Sequence, residues 1–154
     1  MGLGDCMNIN QDKKQIEIKI VYYGCGMSGK TTSLKYLFKT FDRENQLTSI
    51  ETTSGRTLFF DFGVLPLKGG EWTVKLLIYS ATGQDFYAST RPSTLQGADG
   101  IIFIFDSQRE CIGDNIRSWT ELKSYYGSRL KEIPLVISMN KQDIVNSVSK
   151  DRVE

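Results

Sequence analysis

Two hydrophobic rhythms alternate along the chain. Ile16, Ile18 and Ile20 are separated by Glu17 and Lys19, and Val21, Tyr22 and Tyr23 then run on apolar; this period of two predicts a strand over 16–23. Leu34, Leu37, Phe38 and Phe41 recur three and four apart and predict a helix over 32–41. Residues 42–55 are polar, with Asn, Thr, Ser and Gly, and read as a long mobile loop. Strands are expected over 57–62 and 73–79, with a turn at 68–71 between them. Residues 85–95 read as a helix interrupted near Pro92, which has no N–H to give. The unbroken apolar runs 100–105 and 134–139 suit strands buried on both faces. Between them Ile112, Ile116, Trp119, Leu122 and Tyr126 mark the apolar face of a helix.

The order is therefore β-α-β-β-α-β-α-β. Strands alternating with helices imply an α/β fold: a mostly parallel sheet with helices on both faces, and one antiparallel pair where the second and third strands form a hairpin. In such sheets ligands sit beyond the carboxyl ends of the strands.

One stretch at such a place carries chemistry. Gly24-Cys25-Gly26-Met27-Ser28-Gly29-Lys30-Thr31 fits G-x-x-x-x-G-K-[ST], and a predicted strand leads in while a helix leads out. Small residues let successive backbone N–H groups curl around phosphate oxygens, and the helix N-terminus adds its positive dipole end, through Thr32. Lys30 would reach the β- and γ-phosphates and the Thr31 hydroxyl would bind Mg²⁺. The bland alternative is a glycine-rich turn.

Composition narrows the rest. A chain of 154 residues is one domain, expected over 16–154 after a flexible polar leader over 1–15. Net charge is +1, so no global field draws nucleic acid or an anionic membrane, and neither is expected as a partner. Tyr22, Tyr23, Phe59 and Phe60 read as core and strand surface, and Trp119 as helix packing, rather than as base-stacking platforms. The absence of histidine removes the usual general base and every Ser-His or Cys-His scheme. Cys6, Cys25 and Cys111 have neither pairing nor metal spacing, which suits a reducing cytoplasm. No run of about 18 apolar residues could span a bilayer, and the start lacks a signal-peptide apolar region. Gly2 follows Met1 as in N-myristoylation signals, but Cys6 stands where Ser or Thr belongs, so the match is partial.

After the last apolar run comes Asn140-Lys141-Gln142-Asp143. A carboxylate at Asp143 can accept two hydrogen bonds from guanine N1–H and N2–H₂. Adenine lacks that donor pair and would leave the carboxylate unpaired. Asn140 would brace the loop and face the base edge, and the Lys141 stem would cover the ring. Alone the pattern is a polar turn; on a strand end beside a phosphate loop it selects guanine.

From Gly24 through Asp143 the chain resembles the Ras-like small GTPases, and more closely the MglA family of gliding-motility and polarity GTPases. The closer likeness is carried by Lys19-Ile20-Val21-Tyr22-Tyr23-Gly24, by Arg56-Thr57-Leu58-Phe59-Phe60-Asp61-Phe62 and by Gly83-Gln84-Asp85-Phe86-Tyr87. The resemblance implies a P-loop three-layer sandwich, a cytoplasmic GTP/GDP switch with Mg²⁺-dependent hydrolysis, effector proteins, and a Roadblock-type, MglB-like activator. Thr57 matches the switch threonine that ligates Mg²⁺ and senses the γ-phosphate together with Gly83. Arg56 matches an arginine finger supplied by the protein itself, a group worth ~10³–10⁵ in rate. Gln84 matches the glutamine that orients the attacking water.

Two departures stand out. Where Ras-like proteins carry D-x-x-G, with an aspartate holding Mg²⁺ through water, this chain has Ser80-Ala81-Thr82-Gly83. MglA proteins also lack that aspartate, and Asp61 is a candidate to replace it. Secondly, only 11 residues follow Asp143, so the S-A-K-like guanine loop, the last strand and the last helix are expected to be missing. An exposed sheet edge, uncovered apolar surface and weaker guanine binding would follow. Two rival readings fit parts of the pattern: a nucleotide-binding interaction module with little turnover, and an ATP-dependent P-loop kinase, against which Asp143 argues.

Overall fold

The computed structural model describes residues 7–51 and 57–152. Seven strands form one sheet: β1 (Asn8–Asn10), β2 (Gln15–Tyr23), β3 (Leu47–Glu51), β4 (Thr57–Gly69), β5 (Trp72–Ala81), β6 (Gly100–Asp106) and β7 (Leu135–Asn140). The helices are α1 (Lys30–Thr40), α2 (Arg91–Leu95) and α3 (Ile112–Tyr126). Strand order across the sheet is β3-β4-β5-β2-β6-β7, with β1 paired to the start of β2. β2 sits centrally, parallel to both β5 and β6, which is why its second half is apolar on every residue.

Alternation along the central strands divides the core into two layers. Tyr22 and Ile104 face one side with Ile78 and Leu65, and there they meet Leu34 and Phe38 of α1. Val21, Tyr23, Ile101 and Phe103 face the other side, against Leu95 of α2 and Leu122 and Tyr126 of α3. The sheet is thus sandwiched between helices.

Several boundaries differ from expectation. Residues 42–51 are not a loop: a 3₁₀ turn (Glu44–Gln46) leads into β3, which pairs antiparallel with β4. Their polar character suits an edge strand, whose outer side needs no apolar residues. Residues 52–56 lie outside the described residues, and Arg56 with them. Within the expected leader, Asn8–Asn10 form β1, antiparallel to β2. The expected antiparallel pair, β4 with β5, is present, and β1–β2 and β3–β4 add two more. β4 runs on to Gly69, because Val64, Leu65 and Leu67 continue the ladder along β5. Residues 85–95 split into a 3₁₀ turn (Asp85–Thr90) and α2, with Pro92 in the first turn of α2 where no N–H is missed. β7 is not buried on both faces. It borders the sheet, and Val136 is 60 % and Ile137 40 % exposed. Beyond β7 the described residues form turns and one short 3₁₀ turn (Lys150–Arg152), with no further strand or α-helix.

Candidate functional site

The phosphate loop leaves β2 at Tyr23 and enters α1 at Lys30. Gly24 has φ +146°, and a Cβ there would lie 2.4 Å from the Ile104 carbonyl oxygen. Gly29 has φ +101°, and a Cβ would lie 2.2 Å from Asn140 Nδ2. Gly24 is therefore required by close backbone approach as well as by conformation, and at Gly29 the conformation is joined by the Asn140 side chain that lies against it. Gly29 is also the residue that precedes α1, and no side chain caps the helix there. The first-turn N–H groups are left facing a cavity of about 450 Å³. Its walls include Gly26, Met27, Lys30, Thr31 and Thr32 on one side and Gly83 and Gln84 on another.

Lys30 is buried, and its ammonium donates to the carbonyls of Gly24 (2.9 Å) and Cys25 (2.6 Å), with Ser28 Oγ at 3.5 Å. Burial pushes its pKa down to about 8. Among the described residues its hydrogen-bond partners are all neutral oxygens, and a desolvated cation held in this way is suited to receive an anion.

The base loop meets this cradle from β7. Asn140 Nδ2 donates to the Ser28 carbonyl at 2.8 Å, and Lys141 Nζ donates to the Met27 carbonyl at 2.8 Å. The loop that follows is tied to the end of β6: Ser107 N–H donates to Asn140 O, and Val148 N–H to Ser107 O. Asp143 is exposed beside them, and among the described residues no hydrogen bond or ion pair occupies its carboxylate. Asn140 thus braces the phosphate loop and leaves Asp143 as the open acceptor.

On the opposite side, Thr31 Oγ1 donates to Asp61 Oδ2 at 2.6 Å, and Asp61 is fully buried. Asp61 on β4 and Ser80 on β5 are direct antiparallel partners, so their side chains share one face. Ser80 Oγ is also fully buried and lacks a hydrogen-bond partner among the described residues. A hydroxyl, a carboxylate and an orphaned hydroxyl beside a phosphate cradle fit a hydrated Mg²⁺, which takes one or two carboxylates and keeps several waters. Gln84 follows Gly83 on the cavity wall, and its N–H donates to Thr82 Oγ1 at 3.2 Å. Thr57 begins β4, its backbone paired with Glu51, and its side chain lies outside the described residues.

Sequence reasoning passed over three groups. Arg91, though buried, sends its guanidinium to Thr82 O (2.9 Å) and Glu121 (2.6 Å), joining the segment after β5 to α3. Asp106 ends β6 as a buried carboxylate, and Asn115 of α3 exchanges two hydrogen bonds with its backbone. A single acid closing an apolar run was the available signal for Asp106. Nothing local distinguishes Arg91 from a surface arginine.

With this geometry in view, likeness to known proteins is informative. The Ras family matches residues 19–154 of the chain. The chain belongs to the Ras family. It is 39 % identical over 153 residues to the mutual gliding-motility protein MglA of Myxococcus xanthus, covering 94 % of this chain and 77 % of that protein. It is 29 % identical over 142 residues to the human Ras-related protein Rab-7b, covering 87 % of this chain and 64 % of Rab-7b. This Ras-family chain has the Ras-like P-loop fold, it is a small GTPase similar to MglA, and its activity is hydrolysis of GTP. No helix among the described residues is long and apolar enough to cross a membrane.

Proposed function

We propose that the chain is a Mg²⁺-dependent GTP/GDP switch whose site residues are those that line the cradle. Backbone N–H groups of Gly24, Gly26, Met27, Ser28, Gly29 and the first turn of α1, with Thr32, bind the phosphates, and Lys30 neutralises the β- and γ-oxygens. Thr31 and Thr57 would hold Mg²⁺, with Asp61 as the carboxylate beside it. The ion supplies charge neutralisation at the phosphates when bound. Gln84 orients water for attack on the γ-phosphorus. The bond to the β-phosphate oxygen breaks as the new P–O bond forms, and Arg56 meets the charge that grows on the transferred group. Gly83 and Thr57 are released on hydrolysis, so the ordered form is the one that partners read. By resemblance, those partners are effectors and an MglB-like activator, and the setting is the cytoplasm.

The observation that carries this reading is the meeting of two loops. Asn140 and Lys141 both bond main-chain carbonyls of the phosphate loop, at Ser28 and Met27, while the Asp143 carboxylate stays open. An ATP site has no use for an acid in that position. The test is calorimetric titration with GDP, GTP and ATP in the presence of Mg²⁺. Uptake of both guanine nucleotides, with ATP at least about a hundredfold weaker, is the expected result. Equal ATP affinity, or no heat from GDP with folded protein, overturns it.

A further inference from the structure

Lys141 is anchored from behind. Its ammonium lies 2.6 Å from Asp106 Oδ2, and it also donates to Met27 O at 2.8 Å and Gln108 Oε1 at 3.0 Å. Its three N–H donors are therefore divided among a carboxylate, a phosphate-loop carbonyl and an amide. Asp106 is 1 % exposed, and its other oxygen accepts from Gln108 N–H at 3.1 Å. A carboxylate so deeply buried demands a counter-charge, and Lys141 is its salt-bridge partner among the described residues. The acid cannot drift, because Asn115 of α3 clamps its backbone N–H and carbonyl, at 3.0 and 2.8 Å.

The two ends of the tether are strained. Met27 has φ +59° and Lys141 φ +60°, left-handed conformations that residues with a Cβ hold only when their surroundings impose them. The bond from Lys141 to Met27 O joins these two points, one in the phosphate loop and one in the base loop. Remove the anchor and the ammonium has no reason to stay at the Met27 carbonyl rather than in water.

We propose that Asp106 is a positioning residue for guanine nucleotide: it pins the Lys141 ammonium and so holds the base loop and phosphate loop in one register. It acts through Lys141 and does not touch the nucleotide. The proposal rests on the guanine-nucleotide reading above.

The test is a double-mutant cycle on GDP affinity, using the unsubstituted chain, Asp106→Asn, Lys141→Met and the double variant, with thermal unfolding followed in parallel. Asp106→Asn is expected to weaken GDP by about tenfold to a hundredfold, the scale of a lost charge-assisted hydrogen bond. In the Lys141→Met background the same change is expected to add nothing, because there is no ammonium left to position. A merely structural carboxylate would cost the same in both backgrounds. Unchanged GDP binding by Asp106→Asn overturns the proposal, as does a full further loss in the double variant. If Asp106→Asn does not fold, Asp106→Ser keeps an acceptor for the Gln108 amide without the charge and is judged by the same two outcomes. No GDP binding by the unsubstituted, folded chain overturns the guanine reading and this inference with it. Loss confined to the variants separates the two.

Discussion

The Thr31 hydroxyl donates to a fully buried Asp61 at 2.6 Å, and the partner of Asp61 across the β4–β5 ladder is Ser80, the residue at the D-x-x-G aspartate's position. A buried carboxylate thus stands one strand away from the end of β5, on the same face. Asp61→Asn is expected to weaken Mg²⁺-dependent GDP retention by about 10–100-fold, the usual cost of losing a group that orients metal ligands. The measurement is GDP affinity with Mg²⁺ and with a chelator. Loss should appear in the first and nearly vanish in the second. Ser80→Asp alone should destabilise the fold by facing two buried carboxylates, whereas the swap Asp61→Ser with Ser80→Asp should recover much of the metal dependence. Identical Mg²⁺ dependence in Asp61→Asn and the unsubstituted chain would remove Asp61 from the metal site.

Lys30 makes nucleotide binding a proton-linked event. Burial sets its pKa at about 8 in the free protein, below the ordinary 10.5. A phosphate beside the ammonium favours the charged form and raises that value. Binding of GDP near pH 8 should therefore take up a fraction of a proton, and affinity should fall as pH rises past about 8, by at most about tenfold per unit. Calorimetry in two buffers of different ionisation heat reads the proton count directly, and Lys30→Met should abolish it. The stability of the free protein moves the other way. Because the folded pKa is depressed, the unfolded chain binds more protons between pH 8 and 10.5, so the cost of the buried ammonium is full below pH 8 and is relieved across that window. Proton release on binding would contradict the assignment.

Arg91 should matter more to stability than a surface arginine. Its side chain is 7 % exposed and joins Thr82 O to Glu121, whose own side chain is 39 % exposed. Arg91→Met removes the guanidinium's bond to the Thr82 carbonyl but leaves Glu121 able to recover water. The expected loss is about 1–3 kcal/mol rather than the larger cost of a fully buried pair, or a fall of about 2–4 °C in Tm per kcal/mol. Glu121→Gln should cost less than about 1 kcal/mol. Equal and negligible shifts in both variants would show that the junction with α3 is ornamental.

What the sequence made legible was chemistry bound to short spacing. The run from Gly24 to Thr31 and the run from Asn140 to Asp143 each carry their geometry in consecutive residues, and each stands where expected, at a strand's carboxyl end. What it hid depends on pairing between distant strands. β3 lacks a regular alternation and takes its ladder from β4, so no periodicity marks it. Val136 and Ile137 read as interior because they are apolar, but burial is a property of neighbours, and among the described residues β7 has a strand on one side only. Asp61 was legible as a candidate through what Ser80 lacks. The pairing of Asp106 with Lys141 spans 35 residues and was invisible until β6 and β7 were laid side by side.

Gly83 offers the sharpest separation of catalysis from binding. A Cβ there would lie 2.5 Å from both Gly26 N and Cα and 2.8 Å from Cys25 C. These are backbone atoms of the phosphate loop, and they cannot swing aside as a side chain would. Gly83→Ala must therefore push the segment carrying Gln84 away from the cradle, at an overpacking cost of about 1–3 kcal/mol. A displacement of about 1 Å in a group that positions a reactant can cost roughly a hundredfold in rate, so single-turnover GTP hydrolysis should fall by about that factor. GDP affinity should change far less, because the phosphate-loop amides, Lys30 and Asp143 are left in place. Gly113 is the control: in α3 nothing lies within 4 Å of its added Cβ, and Gly113→Ala should leave hydrolysis alone and add about 0.5–1 kcal/mol of stability. Wild-type hydrolysis in Gly83→Ala would mean that Gln84 does not act from the position it holds here.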